Sequence, residues 1–296
     1  MTASRDSFDV VVVGSGHAGC EAALASARLG AKTALITMDR SAIARLSCNP
    51  SIGGMAKSHI VFELDALGGE MARNTDYTGI QFRVLNTRKG PAVQANRAQC
   101  DKAAYPRRMI SVLEKTPNLS ILEALVDGIE TNNGRLVGVR TEDGSIINAR
   151  AVVVAAGTFL GGRIFIGKKA VEGGRLGERA SNGLSASINR LGFRMARLKT
   201  GTPPRLHKDS VDYSRMKVQP GLYPPPFFSY EVRLAQQMFH VERCGRGQMS
   251  DVRDQREVGG SNTGVSSLTS DLWPLTSGQP FHVEQSPSAF IPWVPG

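Results

Sequence analysis

The sequence predicts an α/β chain built on a doubly wound parallel sheet, and three stretches predict it. "SFDVVVVGSGHAGCEAA" (Ser7–Ala23) runs from an apolar, β-branched segment through a glycine cluster into good helix formers. "KTALIT" (Lys32–Thr37) is a second short apolar run. "ARAVVVAAGTFLGG" (Ala149–Gly162) ends a third apolar run in another glycine-rich exit. Unbroken apolar runs of this length fit strands buried on both faces, and strand–helix–strand alternation is the pattern of a parallel sheet with helices on its faces.

In order along the chain, Val10–Val13 is the first strand. Gly14, Gly16 and Gly19 then make G-x-G-x-x-G, with Ser15, His17 and Ala18 between them. In this context the first glycine permits the tight turn. The second lets the backbone approach a pyrophosphate, and the third lets helix and strand pack closely. The helix that follows offers its N-terminal N–H groups to an anion. The competing reading is a tight turn that binds nothing. Ala22–Ala27 supplies helix formers and Gly30 a stop. The second strand of such folds usually ends in an acidic residue that holds a ribose. Here it ends "LITMDR", and Asp39 stands about two residues beyond that place.

Ser41 to about Lys115 reads as short helical patterns broken by glycine. From Leu119 the texture alternates apolar and polar residues, with Asn133-Gly134 and Asp143-Gly144 as hairpin turns. The expectation is an antiparallel meander over about 119–150 that returns to the main sheet through Ala151–Ala156. Asn182–Gly192 reads as a helix with a glycine stop. The proline-rich "QPGLYPPPFFSYEV" does not suit a helix interior or a central strand. The expected organisation is an incomplete α/β domain over 1–226 and an irregular low-complexity tail or loop insertion over 227–296.

The length of 296 residues allows one large domain or two ordinary ones. No apolar run is long enough to span a bilayer, and the N-terminus lacks the apolar core of a secretory signal, so no membrane partner and a cytoplasmic location are expected. Cys20, Cys48, Cys100 and Cys244 are widely spaced and give neither a metal pattern nor a disulfide framework. The net charge of +10 suits a polyanionic partner such as RNA, or anionic cofactors.

Six motifs then follow one another: "GSGHAGCEAA" (Gly14–Ala23), "SCNPSIGG" (Ser47–Gly54), "DALGGEMA" (Asp65–Ala72), "GIQFRVLNTRKGPAVQANRAQCD" (Gly79–Asp101), "GTFLGG" (Gly157–Gly162) and "RLKTGTPPR" (Arg197–Arg205). In this order they resemble the MnmG (GidA) family of FAD-dependent tRNA wobble-uridine modification enzymes, over about residues 6–226. The resemblance implies an FAD-binding, Rossmann-like sheet. It also implies a homodimeric flavoenzyme working with an MnmE-type GTPase. That pair places a carboxymethylaminomethyl or aminomethyl group on C5 of the wobble uridine of tRNA, with methylenetetrahydrofolate as carbon donor and NADH as reductant.

Residue by residue, the resemblance implies that Gly14, Ser15, Gly16, His17, Ala18 and Gly19 form the FAD phosphate loop. Val126 and Ser181 match further FAD-contacting positions. Cys48, in "SCNP", matches a cysteine needed for modification, either as a nucleophile toward C6 of uracil or in acid–base chemistry. A buried inert thiol is the bland alternative. Lys89, Arg97, Lys199 and Arg205 lie inside the motifs and are candidates for tRNA phosphates or folate carboxylates, against the alternative of a solvated charged face. The family's chain is much longer. A second cysteine motif, the NADH region, the last FAD-contacting strand and a helical C-terminal domain have no counterpart here, so the doubly wound sheet is expected to be incomplete at its C-terminal side. A flavin disulfide reductase would need a cysteine pair near Cys48. A non-catalytic FAD- or RNA-binding chain is the remaining alternative.

Overall fold

The computed structural model describes residues 7–47, 49–201 and 206–237. Residues 7–201 and 221–235 form one compact unit; among the described residues, 206–220, 236 and 237 fall in a second. The first unit opens with β1 (Ser7–Val13), α1 (His17–Arg28) and β2 (Thr33–Thr37). β3 (Ser51–Gly53), α2 (Lys57–Ala66), α3 (Met71–Thr78), β4 (Gly79–Leu85), β5 (Ala95–Cys100) and α4 (Ala104–Lys115) follow. Then come β6 (Leu119–Glu123), β7 (Val126–Asn132), β8 (Arg135–Thr141), β9 (Ile146–Val154), the β10–β11 hairpin (Arg163–Ile166, Lys169–Glu172) and α5 (Asn182–Arg190). Residues 206–220 are mostly exposed chain with two short 3₁₀ turns. Asp212 caps one of them by accepting from the Ser214 N–H at 3.1 Å.

The main sheet has the order β6-β2-β1-β9-β8-β7. β1 runs parallel to β2 and β9, and β2 parallel to β6; β7, β8 and β9 are antiparallel neighbours. Strand periodicity divides the core between two faces. Val12 and Leu35 meet Cys20, Ala23 and Leu24 of α1 on one side. Val11, Val13, Ala34 and Ile36 meet Val126, Val139 and Leu184 of α5 on the other. Both faces of β1 and β2 are therefore covered, which is why their sequences read as continuous apolar runs.

Three expectations are corrected. Leu119–Glu123 is the parallel edge strand of the main sheet, so the meander begins at β7 rather than at 119. An edge strand is only partly covered, and none of the five residues of β6 is fully buried, so its sequence lacks the unbroken apolar run of β1 and β2. The 41–115 section is not helical patterns alone. It holds a three-stranded antiparallel sheet, β3-β5-β4, beside α2, α3 and α4.

The packed region also runs past 226. Phe228 is fully buried, stacks on Phe62 at 5.4 Å, and Phe227 meets Phe82 edge-on at 5.2 Å. Asp76 accepts the Phe228 and Ser229 N–H groups at 2.9 and 2.7 Å, and Asp65 accepts that of Tyr230 at 2.7 Å, at the start of helical residues 230–237. The remainder of the expected tail, 238–296, lies outside the described residues.

β8 pairs with β9 only over Ile146–Asn148, whereas β1 pairs with β9 as far as Val154. Beyond Asn148 the β8-side edge of β9 has no paired strand among the described residues, and Val153 and Val154 are 39% and 37% exposed. The sheet thus has an open edge within its central strand.

Candidate functional site: a glycine cradle at two strand exits

The C-terminal ends of β1, β2 and β9 converge on the glycine loop. The Gly14 N–H donates to Ile36 O at 2.9 Å, and the Ala155 N–H to Val13 O at 2.8 Å. Ser15 Oγ shares a hydrogen bond with Thr37 Oγ1 at 2.7 Å, and Ser15 O accepts from the Ala44 N–H at 2.9 Å. Thr37 occupies the end of the second strand, where such folds usually carry an acidic residue, and it anchors the loop. Asp39 instead caps a 3₁₀ turn, accepting from the Ser41 N–H at 2.7 Å, and this hydroxyl-and-amide contact to Ser41 holds its carboxyl below the usual range.

Each glycine has its own physical reason. Gly14 has φ +103°, and a Cβ there would lie 2.5 Å from Ala155 O. Gly19 is ordinary helix, but a Cβ there would lie 1.7 Å from Gly14 O, so the loop and α1 touch backbone to backbone. At Gly16 a Cβ would meet nothing within 4 Å. Gly16 and Ala18 are exposed, and Gly16 is the N-cap of α1 with no side chain to cap it. Two glycines are thus required by the fold, while the third leaves open space over an uncapped helix N-terminus. That combination fits an anion such as the pyrophosphate of a dinucleotide.

His17 is mostly buried at the start of α1, packs edge-on against Tyr105 at 5.6 Å, and its Nδ1 has no hydrogen-bond partner among the described residues. Burial, and secondarily Arg175, lower its pKa. The imidazole is therefore neutral at pH 7 and is not a cationic phosphate ligand. Arg175 covers Phe159 at 5.2 Å and is the nearby permanent charge. Neither Thr37 nor Tyr105 was singled out from the sequence. The signal for Thr37 was its place at the strand end; Tyr105 is distant in sequence and carries none.

The second exit joins the same region. Its Phe159 O accepts the Ser181 N–H at 2.8 Å, and the Ser181 hydroxyl donates to Val126 O at 3.0 Å. The structure therefore brings Val126 and Ser181 into direct contact and ties both to the exit of β9. A cleft of about 290 Å³ borders this exit, walled by Gly161, Arg163, Glu172, Asn182, Ser185 and Arg197.

The remaining candidates lie elsewhere. Lys89 is exposed in the connection after β4, and Lys199 is exposed in irregular chain after α5. Arg97 is half-buried on β5, with Nη2 3.4 Å from Ser51 Oγ. Cys48 and Arg205 lie outside the described residues. Cys20 and Cys100 are free and buried, and burial pushes both thiols up to about 12. Neither is a candidate nucleophile.

The fold defines a doubly wound α/β protein whose first strand exits into a G-x-G-x-x-G loop at an uncapped helix N-terminus. The family described as glucose inhibited division protein A matches residues 9–244, and the chain belongs to that family. A curated relative from Thermodesulfovibrio yellowstonii, named tRNA uridine 5-carboxymethylaminomethyl modification enzyme MnmG, is 53% identical over 76% of this chain and 36% of its own length. The protein of that name from Aquifex aeolicus is 54% identical over 76% of this chain and 36% of its own. A crystal structure of Aquifex aeolicus GidA (form II) superposes with a TM-score of 0.73 at 53% identity, covering 77% of this chain and 38% of the other. The chain thus spans a little over one third of the length of these relatives.

Proposed function

We propose that this chain is the cofactor-binding region of a flavoenzyme that modifies the wobble uridine of tRNA. The observation that carries the reading is the division of labour among Gly14, Gly16 and Gly19, found in a chain whose relatives bear a tRNA uridine modification name. Gly14–Gly19 hold the FAD pyrophosphate on the open amides of α1, and Val126 and Ser181 border the cofactor. When bound there, the flavin supplies redox chemistry to the methylene carbon donor, with NADH as reductant and methylenetetrahydrofolate as carbon source.

Cys48 adds as a thiolate to C6 of the uracil; its S–C6 bond forms while the C5–C6 π electrons move toward C5 and the C4 carbonyl, making C5 nucleophilic. C5 then bonds to the one-carbon unit as that carbon leaves its folate nitrogen, and loss of the C5 proton with expulsion of the thiolate from C6 restores the ring. Lys89, Arg97, Lys199 and Arg205 supply positive charge for tRNA phosphates or folate carboxylates. A GTPase of the MnmE type, a homodimeric assembly and a cytoplasmic location complete the proposal. Beyond residue 235, which still belongs to the compact unit, the chain is proposed to be an irregular tail or a loop insertion.

The test is made on the full-length polypeptide that carries this region. It is incubated with the GTPase, NADH, methylenetetrahydrofolate and unmodified tRNA, and the nucleosides are resolved by mass spectrometry. A C5-modified uridine that disappears in Cys48→Ser is the expected result. Unmodified uridine with a flavin-loaded wild-type protein, or undiminished modification by Cys48→Ser, overturns it.

A further inference from the structure

The cleft beside the second strand exit lies on the outer side of α5. The helix turns Leu184 and Ser187 into the fold, where both are buried and Leu184 joins the core with Val126 of β7. Asn182, Ser185 and Asn189 stand at i, i+3 and i+7 on the opposite face. That face, the base of the β10–β11 hairpin, Met195 and Arg197 wall the cleft of about 290 Å³. Its floor is closed backbone to backbone, since a Cβ on Gly162 would lie 2.4 Å from Thr158 O and 2.6 Å from Gly173 O. Arg197 Nη1 donates to Gly161 O at 3.1 Å, which ties that guanidinium to the wall.

The charges of the cleft are not closed on one another. Arg163 and Glu172 are direct cross-strand partners at the hairpin base. Glu172 Oε2 instead accepts from Asn182 Nδ2 at 3.1 Å. Among the described residues no ion pair or hydrogen bond holds the Arg163 guanidinium, the Ser185 hydroxyl or the Asn189 side-chain amide. Two guanidiniums against one carboxylate make the wall net positive, and these unengaged groups are donors that suit phosphate oxygens.

Strand alternation puts Phe165 on the same face of the hairpin as Arg163, one pair further out and opposite Ala170. Phe165 is 71% exposed. A bare ring two residues from a guanidinium without an ion pair combines the two contacts that single-stranded nucleic acid makes, base on ring and phosphate on cation. The cleft lies at the lower limit of ligand pockets, which run from about 300 to 1,000 Å³, so it suits one nucleotide unit rather than a dinucleotide. The net charge of +10 favours the same polyanionic partner.

We propose that this cleft is a subsite for single-stranded RNA. Arg163 and Arg197 take one phosphate, Ser185 and Asn189 give it neutral donors, and Phe165 stacks the adjoining base. The proposal rests on the RNA substrate reading above and adds a contact made by none of the residues named there.

The purified chain, with folding checked by its far-UV spectrum, is titrated with a fluorescently labelled uridine-rich RNA oligonucleotide at several salt concentrations. Wild type is compared with Arg163→Gln, Phe165→Ala and Lys115→Gln. Arg163 and Phe165 are exposed, so both variants keep the fold. Lys115 ends α4, which packs on the other face of the main sheet, and serves as an exposed control. Phe165→Ala is expected to weaken binding about fivefold or more with the salt dependence unchanged. Arg163→Gln is expected to weaken it about fivefold or more and to lower the salt dependence by about one. Lys115→Gln stays within about twofold of wild type.

Both cleft variants within about twofold of wild type, or a wild type that binds no RNA, overturn the proposal. An equal loss in Lys115→Gln marks the effect as one of net charge and overturns it too. Weakening by Arg163→Gln without weakening by Phe165→Ala reduces the cleft to an anion contact, which also contradicts an RNA subsite. Uridine modification by the full-length protein, with RNA binding indifferent to Arg163 and Phe165, defeats this inference alone. RNA binding that needs both residues in a protein that modifies no uridine defeats the functional reading alone.

Discussion

Alanine at Gly19 and at Gly16 should separate what the fold needs from what the ligand needs. At Gly19 the added methyl would sit 1.7 Å from Gly14 O, a backbone atom held by the β2 and β9 exits, so α1 must move by roughly an ångström or more. Overpacking of that kind costs about 1–3 kcal/mol, and at a backbone contact the upper end applies. For a domain of this size that lowers the Tm by about 5 °C or more.

At Gly16 the methyl meets nothing, and φ is −67°, which any residue adopts. The fold loses at most about 1 kcal/mol from a poorer N-cap. The same methyl fills the space over the α1 amides that the proposed pyrophosphate would occupy, so FAD affinity should fall about 10- to 100-fold. Thermal unfolding without FAD and flavin-fluorescence titration measure the two effects. A Gly16→Ala protein that binds FAD as tightly as wild type, or a Gly19→Ala protein with wild-type Tm, would refute the reasoning.

Ser181→Ala removes the bond to Val126 O and leaves a buried carbonyl without that donor. A loss of about 1 kcal/mol is expected in denaturant unfolding, with FAD affinity reduced as well. Native alkylation at pH 8 followed by peptide mass mapping should leave Cys20 and Cys100 unmodified, because burial pushes both thiols up to about 12. Asp76 is raised to about 7, because burial outweighs the two N–H bonds it accepts. A carboxyl whose folded pKa lies above its unfolded value binds more protons when folded, so its contribution to stability falls as pH rises from about 4 to 7. Wild type should therefore lose stability relative to Asp76→Asn across that window, and a pH-independent difference between the two would contradict the assignment.

The glycine cradle was legible because its determinants are local. Strand, turn and helix are adjacent in sequence, and Gly14, Gly16 and Gly19 each act within one βαβ unit. The pairing of Val126 with Ser181 was reachable only through family resemblance, since nothing local links residues 55 apart. β6 misled because an edge strand of a parallel sheet is only partly buried and carries polar residues, as a hairpin strand does. Phe227 and Phe228 misled because the proline-rich stretch before them excludes regular structure but not insertion of two aromatic rings into a core. β4 and β5 are rich in Arg, Gln and Asn, and their sheet is defined by a register between distant segments that no local pattern announces.

The central claim is that the two strand exits form a flavin cradle within this chain. The most direct measurement is the visible absorption spectrum of the purified chain before and after addition of FAD, with flavin-to-protein stoichiometry and a far-UV spectrum to establish folding. The account predicts a protein-bound flavin band approaching one equivalent, which falls away in Gly16→Ala. A folded chain that retains no flavin at saturating FAD would contradict it.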